Sequence, residues 1–370
     1  MSVRKKCVCH LTSVHPRYDT RIFVKECRSL AERYAVTLVV ADGEGDEVRS
    51  GVHIVDVGKP KNRRERMLDT TEKVFAKAMG MEAEVYHLHD PELLRVGQKL
   101  KHAGKKVIFD AHEDLPLQVR NKTYLPLWAR RLVSFAVRHY EAYACHRFDA
   151  VVGATPFIRD KFLTINPETV DINNYPIIEE LQNSVDFDAR ENAVCYVGYI
   201  TAVRGIREIV QAVGAVPGCR LLLAGRFQEA AVEAEVRAER AWEQVDFLGF
   251  LDRGGIADVL RRAKAGLVPL HPVPNYLDAL PVKMFEYMAA GVPVIASDFP
   301  LWRAIVEETE CGLCVDPLDP GAIAAAVREI LTHPETARRM GENGARAVQS
   351  TYNWDHEAQK LLQLYAKVAG

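Results

Sequence analysis

HPVPNYLDALPVKMFEYMAAGVPVIASD, residues 271–298, is the stretch that decides the fold. Pro281 suits the first position of a helix, because the N–H that proline lacks would be unpaired there, and Gly291 suits the residue after a helix that runs to about Ala290. The apolar run that follows has the composition of a buried strand. A helix that leads directly into a buried strand predicts a parallel sheet covered by helices.

Strand-like apolar runs recur on both sides of this stretch, with amphipathic segments between most of them. Six precede residue 155: KCVCHLTS, VTLVV, VHIVDV, EVYHLH, KVIFDAH and DAVVGA. Six more follow a polar, aperiodic segment at 166–193: AVCYVGY, CRLLLAG, VDFL, AGLVPL, VPVIAS and GLCVDP. This pattern predicts an α/β protein with two Rossmann-like, doubly wound parallel-sheet domains facing each other across a cleft. We place the first domain at 1–185, joined by a C-terminal helix at 353–370, and the second at 186–352.

The composition is that of a folded globular protein. The chain has 370 residues, of which 48% are hydrophobic and 26% charged, and a formal net charge of −2. This charge gives no overall attraction to nucleic acid, so we expect no nucleic-acid partner and only local anion sites. No apolar run reaches the roughly 20 residues of a membrane span, and the start reads as a first strand rather than a signal peptide, so we expect a cytoplasmic protein. The eight cysteines do not form a disulfide framework, and we interpret Cys311 and Cys314 as buried thiols rather than a zinc or redox pair.

The helix predicted after Leu280 has the features of an anion site. Leu280 has no side-chain oxygen to cap the helix, so the first N–H groups and the positive dipole end are available to a diphosphate. Lys283 adds a positive charge in the first turn, and Glu286 could accept hydrogen bonds from two neighbouring sugar hydroxyls. An ordinary amphipathic helix with a Lys283–Glu286 ion pair would give the same local pattern.

Arg204 is a second candidate for a phosphate contact. It stands at the start of a helix, in a loop that follows the strand closed by Gly198, and arginine is well matched to a pair of phosphate oxygens. Together with Lys283 it would hold a diphosphate from two sides. No GxGxxG follows the first strand and no GxxxxGK[ST] occurs, which argues against a classical dehydrogenase or a P-loop kinase.

The chain resembles the family-4 retaining glycosyltransferases. VDFLGFLDRGGIADVLRRAKAGLVPL, the Lys283–Glu286 helix, GVPVIASDFP and CGLCVDPLDP follow the order and spacing of their C-terminal half. HLHDPELL and VIFDAHEDLP look like a subgroup that builds bacterial surface polysaccharides. The resemblance implies a GT-B fold and transfer of a sugar, with retention of configuration, from a nucleotide-sugar donor to a glycan or lipid-linked acceptor.

The resemblance also implies roles for individual residues of the second domain. The E-x7-E motif of the family falls on Asp278 and Glu286: Glu286 would hold the donor ribose, and Asp278, one methylene shorter than the usual residue, would face the transferred sugar. Tyr199 stands where the family has a first basic residue, so Lys283 would supply the missing charge beside Arg204. Further contacts would come from the backbone, to the diphosphate at Gly198, Ala279, Leu280, Pro281 and Val282 and to the nucleoside at Gly225, Arg226, Leu248 and Gly249.

In the first domain, the resemblance places His112 of DAHED at the donor sugar. Such a histidine could instead cap the following turn. His89 ends another strand and is an acceptor-side candidate, although its position before Asp90 favours a helix-capping role equally. Asp19 and Arg21 are expected on the acceptor side, and a simple ion pair between them would leave the same sequence pattern.

We expect the chemistry to need no cofactor and no metal, because no Asp-x-Asp cluster stands where a donor-site metal would be needed. Arg204, Lys283 and the helix N-terminus would stabilise the leaving diphosphate. The stretch LPLWARRLVSFAVRHYEAY could lie on an anionic membrane surface, although most such stripes pack on a core. Two alternatives stay open: a nucleotide-sugar epimerase of the same fold, and a binding protein that has lost catalysis.

Overall fold

The computed structural model describes residues 5–120, 126–181 and 185–370. It divides into two compact units, one formed by the residues up to Asn174 together with Asp355–Gly370, the other by Tyr175–Trp354. The boundary expected after residue 185 is therefore too late. Tyr175 explains the difference, because its ring packs on Phe285 of the second unit at a centroid distance of 4.8 Å. Residues 182–184 of the expected linker lie outside the described residues.

The first unit contains an eight-stranded sheet in the order β3-β4-β2-β1-β5-β6-β7-β8. All neighbouring strands are parallel except β3 and β4. The strands are β1 Cys7–Leu11, β2 Ala35–Val40, β3 Glu47–Arg49, β4 Val52–Asp56, β5 Val85–Leu88, β6 Lys106–Ala111, β7 Ala150–Gly153 and β8 Thr169–Asp171. The short edge strands β3 and β8 were not predicted, since three residues show no periodicity, and β8 lies inside the expected linker.

Helices cover this sheet. They are α1 Arg28–Ala31, α2 Arg63–Glu65, α3 Thr71–Met79, α4 Leu94–His102, α5 Leu115–Arg120, α6 Leu127–Cys145, α7 Pro156–Leu163 and the C-terminal α16 Trp354–Ala369. Two π-helical segments, Thr20–Cys27 and Arg66–Thr70, lead into α1 and α3. Most residues of the central strands are fully buried, as expected for a parallel sheet with helices on its faces.

The second unit contains a six-stranded, entirely parallel sheet in the order β11-β10-β9-β12-β13-β14. Its strands are β9 Ala193–Val197, β10 Arg220–Ala224, β11 Val245–Gly249, β12 Ala265–Val268, β13 Val294–Ser297 and β14 Gly312–Val315. Its helices are α8 Ile206–Gly214, α9 Ala230–Ala238, α10 Arg253–Arg262, α11 Pro274–Leu277, α12 Val282–Ala289, α13 Pro300–Thr309, α14 Pro320–Thr332 and α15 Pro334–Ser350.

Both units are parallel-sheet α/β domains, so the predicted fold class is confirmed. All twelve strands expected from the apolar runs are present, because continuous apolar runs of four to six residues are typical of strands buried on both faces. All eight cysteines are free thiols; Cys311 is buried as expected, whereas Cys314 is only half-buried.

Candidate functional site

The carboxyl ends of β9, β10 and β11 lie side by side and form one edge of the second sheet. The N–H of Gly198 donates to the carbonyl of Ala224 at 2.9 Å, and the N–H of Gly225 donates to that of Gly249 at 2.7 Å. A Cβ on Gly225 would lie 1.8 Å from the carbonyl oxygen of Gly198, so this approach requires glycine. The edge therefore presents backbone where a ligand of a doubly wound sheet is expected.

Lys283 and Arg204 meet at this edge. A Cβ built on Gly198 would lie 3.5 Å from Nζ of Lys283 and 4.0 Å from Nη1 of Arg204, so both cations lie against the same glycine. Nζ of Lys283 is buried, lies 3.5 Å from the ring centroid of Tyr196, and has no hydrogen-bond partner among the described residues. Burial, and then the charge of Arg204, hold the pKa of Lys283 well below its usual range. An unpaired buried ammonium group is a site for an anion.

The start of α12 adds unpaired N–H groups to these cations. The helix begins at Val282 rather than at Pro281, which is the N-cap residue and provides no side-chain hydrogen bond. The N–H groups of Val282 and Lys283 lie in the first turn of α12, where a helix offers its own N–H groups no carbonyl acceptor. Among the described residues they have no backbone acceptor outside the helix either. Of the other backbone donors expected at the diphosphate, Pro281 has no N–H and that of Ala279 is already bonded to the carbonyl of Tyr276, so both assignments are wrong as N–H contacts.

Glu286 is paired with an arginine that the sequence analysis did not single out. Nη1 of Arg253 lies 2.5 Å from Oε1 of Glu286, while Nε of Arg253 bonds Glu180 at 2.9 Å. Oε2 of Glu286 makes no hydrogen bond within the described part of the chain. The alternative of a simple Lys283–Glu286 ion pair is therefore wrong. The signal for Arg253 was its place in the first turn of α10, directly after the capping residue Asp252.

Arg204 is positioned by two tyrosines. Its Nε lies 3.4 Å from the hydroxyl of Tyr276 and its Nη1 lies 3.5 Å from the carbonyl of Tyr199. Tyr199 thus contacts the arginine through its backbone carbonyl. Its side chain, which stands where the family has a first basic residue, is exposed. Gly205, at φ +80°, follows directly, and a Cβ there would lie 2.2 Å from the carbonyl oxygen of Pro269. This glycine lets the loop that carries Arg204 lie close to the end of β12.

The remaining residues predicted in the second unit make no contact that defines a role. Asp278 is exposed and caps the C-terminus of α11. The guanidinium of Arg226 lies 4.5 Å from the ring centroid of Phe250, which is exposed at the end of β11, beyond Leu248 and Gly249. Their contacts to donor sugar and nucleoside stay predictions.

In the first unit, His112 is oriented by a buried carboxylate. Its Nε2 lies 2.9 Å from Oδ2 of Asp110, and Arg21 donates two hydrogen bonds of 2.8 Å to the same carboxylate. Burial alone would raise the pKa of Asp110, but Arg21 and then His112 hold it well below its usual range. His112 is thus held by an ionised aspartate rather than by a turn-capping contact, and about a fifth of its side chain (22%) is exposed.

Arg21 is wrong as an acceptor-side prediction, whereas Asp19 and His89 stay predictions. Arg21 is 5% exposed and binds Asp110 and the carbonyl of Ile172, so neither an acceptor contact nor a pair with Asp19 describes it. Asp19 instead caps the helix that begins at Thr20, accepting from the N–H groups of Arg21 and Ile22. His89 is buried and bonded to Asp110 at 3.2 Å, which sequence periodicity could not reveal.

A cavity of about 680 Å³ lies beside His112, entirely within the first unit. Its walls are largely apolar, from α4, α5 and α6, and its polar lining includes Arg63, Arg66 and His15. The size and lining are those of a small-molecule site.

The first unit matches the family model for glycosyltransferase family 4 over residues 21–172, and the second matches that for group 1 glycosyl transferases over residues 177–347. Together the matched ranges take in most of the chain. The chain belongs to the family-4 glycosyltransferases. The GT-B architecture expected from the resemblance is shown as well.

Individual relatives of this family-4 member are distant. A glycogen synthase of Mycobacterium tuberculosis is 25% identical over 254 residues, which cover 64% of this chain and 59% of the relative. A sucrose-phosphate synthase from Thermosynechococcus elongatus shares the fold with a TM-score of 0.80 at 22% identity, over 98% of this chain and 99% of that one. An Anabaena protein, HepE, solved in complex with UDP and glucose, does so with a TM-score of 0.75 at 14% identity, over 98% and 100%. The chain thus spans about three fifths of the length of this curated relative.

Proposed function

We propose that this chain transfers a sugar from a nucleotide-sugar donor to a glycan or lipid-linked acceptor, with retention of anomeric configuration, in bacterial polysaccharide or glycoconjugate synthesis. The observation that carries the proposal is the buried, unpartnered Nζ of Lys283, which lies against Gly198 together with Arg204 at the start of α12. Two cations and free helix N–H groups are what a diphosphate requires. The UDP bound by the Anabaena structure is consistent with a nucleoside diphosphate here.

Glu286 is suited to hold the donor ribose. Arg253 fixes one of its oxygens at 2.5 Å, so the second oxygen is oriented and available to hydroxyl groups. A carboxylate accepts hydrogen bonds from two neighbouring hydroxyls, which matches the 2′ and 3′ positions of ribose. Glu286 lies one turn beyond Lys283 on α12, so ribose and diphosphate would bind along the same helix face.

In the proposed mechanism, the acceptor hydroxyl attacks the anomeric carbon from the face that the diphosphate leaves. Lys283, Arg204 and the amino end of α12 stabilise the charge that develops on the leaving group, so no metal is needed at the diphosphate. His112, oriented by Asp110, is proposed to face the donor sugar, and Asp278 to contact it. The family resemblance supports retention, which NMR of the product's anomeric proton against that of the donor would test.

The acceptor is proposed to bind in the cavity beside His112. Its apolar walls suit the first part of a lipid or the faces of sugar rings. Arg63 suits a phosphate that links a glycan to a lipid, whereas Arg66 is already paired with Glu92 at 3.0 Å. Asp19 lies near this cavity through His15, to which it is bonded at 3.3 Å.

We further propose that α6 rests on an anionic membrane at its cytoplasmic face. Leu127, Trp128, Leu132 and Phe135 are each at least 61% exposed, so the alternative that this stripe packs on a core is wrong for them. Arg131 lies between them and is exposed as well, which favours anionic lipid. Across the three described ranges, no helix combines the length and apolarity that a bilayer crossing requires, and Leu125, the first residue of the predicted stripe, lies outside them.

Vesicle flotation tests this contact. Vesicles with a third of their lipid as phosphatidylglycerol should carry the protein upward, and pure phosphatidylcholine vesicles should carry less of it. Replacing both Trp128 and Phe135 by serine should abolish flotation. Equal flotation of the double variant would remove α6 as the contact.

A thermal-shift screen with UDP, GDP, ADP and dTDP tests the central proposal. One nucleotide should raise the Tm selectively, because a ligand that binds only the folded state stabilises it by mass action. Glu286→Gln should reduce that shift and abolish transfer from the matching nucleotide sugar. No shift with any of the four would contradict the donor assignment.

Product analysis separates the two alternatives. An epimerase would change the donor sugar in the absence of acceptor, and a binding protein would bind the nucleotide sugar but leave it unchanged across a panel of acceptors. Transfer to an acceptor without loss of configuration would exclude both.

A further inference from the structure

Four buried side chains converge on one face of the first sheet, close to the edge that carries His112, whose ring centroid lies 5.7 Å from that of His89. His10 lies on β1 opposite His87 on β5, and His89 follows two residues later on the same face. Glu26 reaches this face from the π-helical segment Thr20–Cys27. All four are at most 1% exposed, and each offers a ligand atom within 4.8 Å of the others.

Three of these atoms have the spacing of a metal site. Nδ1 of His10 and Nε2 of His89 lie 2.8 Å apart, and each lies 3.9 Å from Oε2 of Glu26. The point equidistant from the three atoms is about 2.1 Å from each, which is the length of a Zn–N or Zn–O bond in proteins. At 2.8 Å the two histidine nitrogens are within hydrogen-bond distance of each other, whereas 3.9 Å is too long for a hydrogen bond, so Glu26 has none to either histidine.

In His10 and His89, the ring nitrogen that points away from Glu26 makes the kind of contact that a metal-binding histidine usually makes. The second nitrogen of His89, Nδ1, lies 3.2 Å from Asp110, and the second nitrogen of His10, Nε2, lies 2.9 Å from the hydroxyl of Tyr365. A ligating histidine usually donates its other N–H to a carboxylate or another oxygen, which leaves a lone pair on the inner nitrogen. Asp110 thereby favours the tautomer in which Nδ1 of His89 carries the proton and Nε2 keeps its lone pair.

Polar atoms left without a partner support the same conclusion. Neither carboxylate oxygen of Glu26 makes a hydrogen bond within the described residues, and Nε2 of His87 makes none either. Arg21 gives Glu26 only a charge contact, with Nε 3.2 Å from Oε1, since its hydrogen bonds go elsewhere. Buried polar groups without partners are rare and costly, and a bound ion would satisfy them.

We propose that His10, His89 and Glu26 bind one divalent transition-metal ion, with zinc preferred and His87 as the fourth ligand. Three imidazoles and a carboxylate suit zinc by ligand type. The ion joins β1, β5 and the Thr20–Cys27 segment in the first unit, whereas the donor residues belong to the second. The site is structural, and the proposal is independent of the proposed function.

Metal content measured without any activity assay tests the site. The full chain, purified without a metal-affinity tag or chelator, should contain about one equivalent of zinc by inductively coupled plasma mass spectrometry. Because the ligands are buried, the ion should resist a chelator in the folded protein and be lost on unfolding. Refolding with cobalt in place of zinc should give the visible d–d absorption of a low-coordinate nitrogen and oxygen site.

Glu26→Gln is the informative variant, since it keeps the shape and removes the anionic ligand. It should lose the zinc, while Glu32→Gln, at an exposed glutamate six residues further on, should keep it. If Glu26→Gln fails to fold, the cobalt spectrum of the unmodified chain decides instead. The proposal is overturned if the folded chain contains no stoichiometric metal and shows no cobalt absorption after refolding, or if Glu26→Gln retains the full equivalent.

Discussion

The two units bury charge in opposite ways. In the first, the carboxylate of Asp110 receives two hydrogen bonds from the cation Arg21 and one from His112, so an anion is surrounded by its own hydrogen-bond donors. In the second, the ammonium group of Lys283 is buried beside a second cation, Arg204, and has no hydrogen-bond acceptor among the described residues.

The difference indicates what each arrangement is for. A buried charge with internal partners is fixed in place and can orient another group, as Asp110 orients His112. A buried charge without partners is tolerated only at a cost of several kcal/mol, unless a ligand of opposite charge supplies the partner. Charge compensation therefore separates the residues that position the site from the residues that bind substrate.

The largest effect expected from this comparison is on Lys283. Lys283→Met removes a cation that faces the leaving diphosphate. Turnover should therefore fall by about 100-fold to 1,000-fold, the usual effect of losing one such group. The Tm of the ligand-free protein should stay equal or rise, because an unpaired buried charge is replaced by an apolar chain of similar length. Steady-state kinetics and thermal unfolding measure the two quantities.

Lys264→Met is the matched control, because Lys264 and Lys283 are the two lysines of the second unit. Its ammonium group packs over the ring of Phe187 at 5.7 Å and should leave turnover unchanged. If Lys283→Met kept normal turnover, or if it lost several degrees of Tm without nucleotide, Lys283 would be a structural residue and the comparison would be wrong.

Arg21 should show the reverse behaviour. Arg21→Met leaves the carboxylate of Asp110 buried without its main partner, so the free energy of unfolding should fall by about 3–5 kcal/mol. Arg159→Met, which breaks partly exposed ion pairs to Asp160 and Asp171, should cost about 1 kcal/mol or less. Urea denaturation of both variants measures this difference, and equal losses would show that burial does not strengthen the Arg21 pair.

The sequence predicted the fold well, because the information lies in local patterns. The apolar runs that became β1, β9 and β12 are continuous and bounded by turns, so they could be assigned without knowledge of what packs on them. Lys283 and Arg204 were found for a similar reason, since a helix start without a capping residue and an arginine after a strand are visible in a few residues.

The contacts that could not be predicted join residues far apart in the chain. Arg21 and Asp110 are separated by 89 positions, and Arg253 and Glu286 by 33. Only the order of strands brings the first pair together, so Arg21 was assigned to the acceptor side and Arg253 was missed. The start of α12 was misplaced by one residue at Pro281, which is the usual uncertainty at a helix end.

The smallest effect expected is a proton taken up when the donor binds. Burial, and then Arg204, depress the pKa of Lys283 in the ligand-free protein, and a bound diphosphate favours the charged form, so this pKa should rise when the donor binds. Between the depressed pKa of Lys283 and its higher pKa in the complex, affinity for the donor therefore rises as pH falls, by at most about tenfold per pH unit for one proton.

A nucleotide sugar is the better probe than a nucleoside diphosphate, since its phosphodiester groups do not titrate near neutral pH. Calorimetry in two buffers of different ionisation enthalpy should show the uptake, and Lys283→Arg, which stays charged, should show none. Equal proton uptake by Lys283→Arg and the unmodified chain would place the titrating group elsewhere and leave Lys283 charged before the donor arrives.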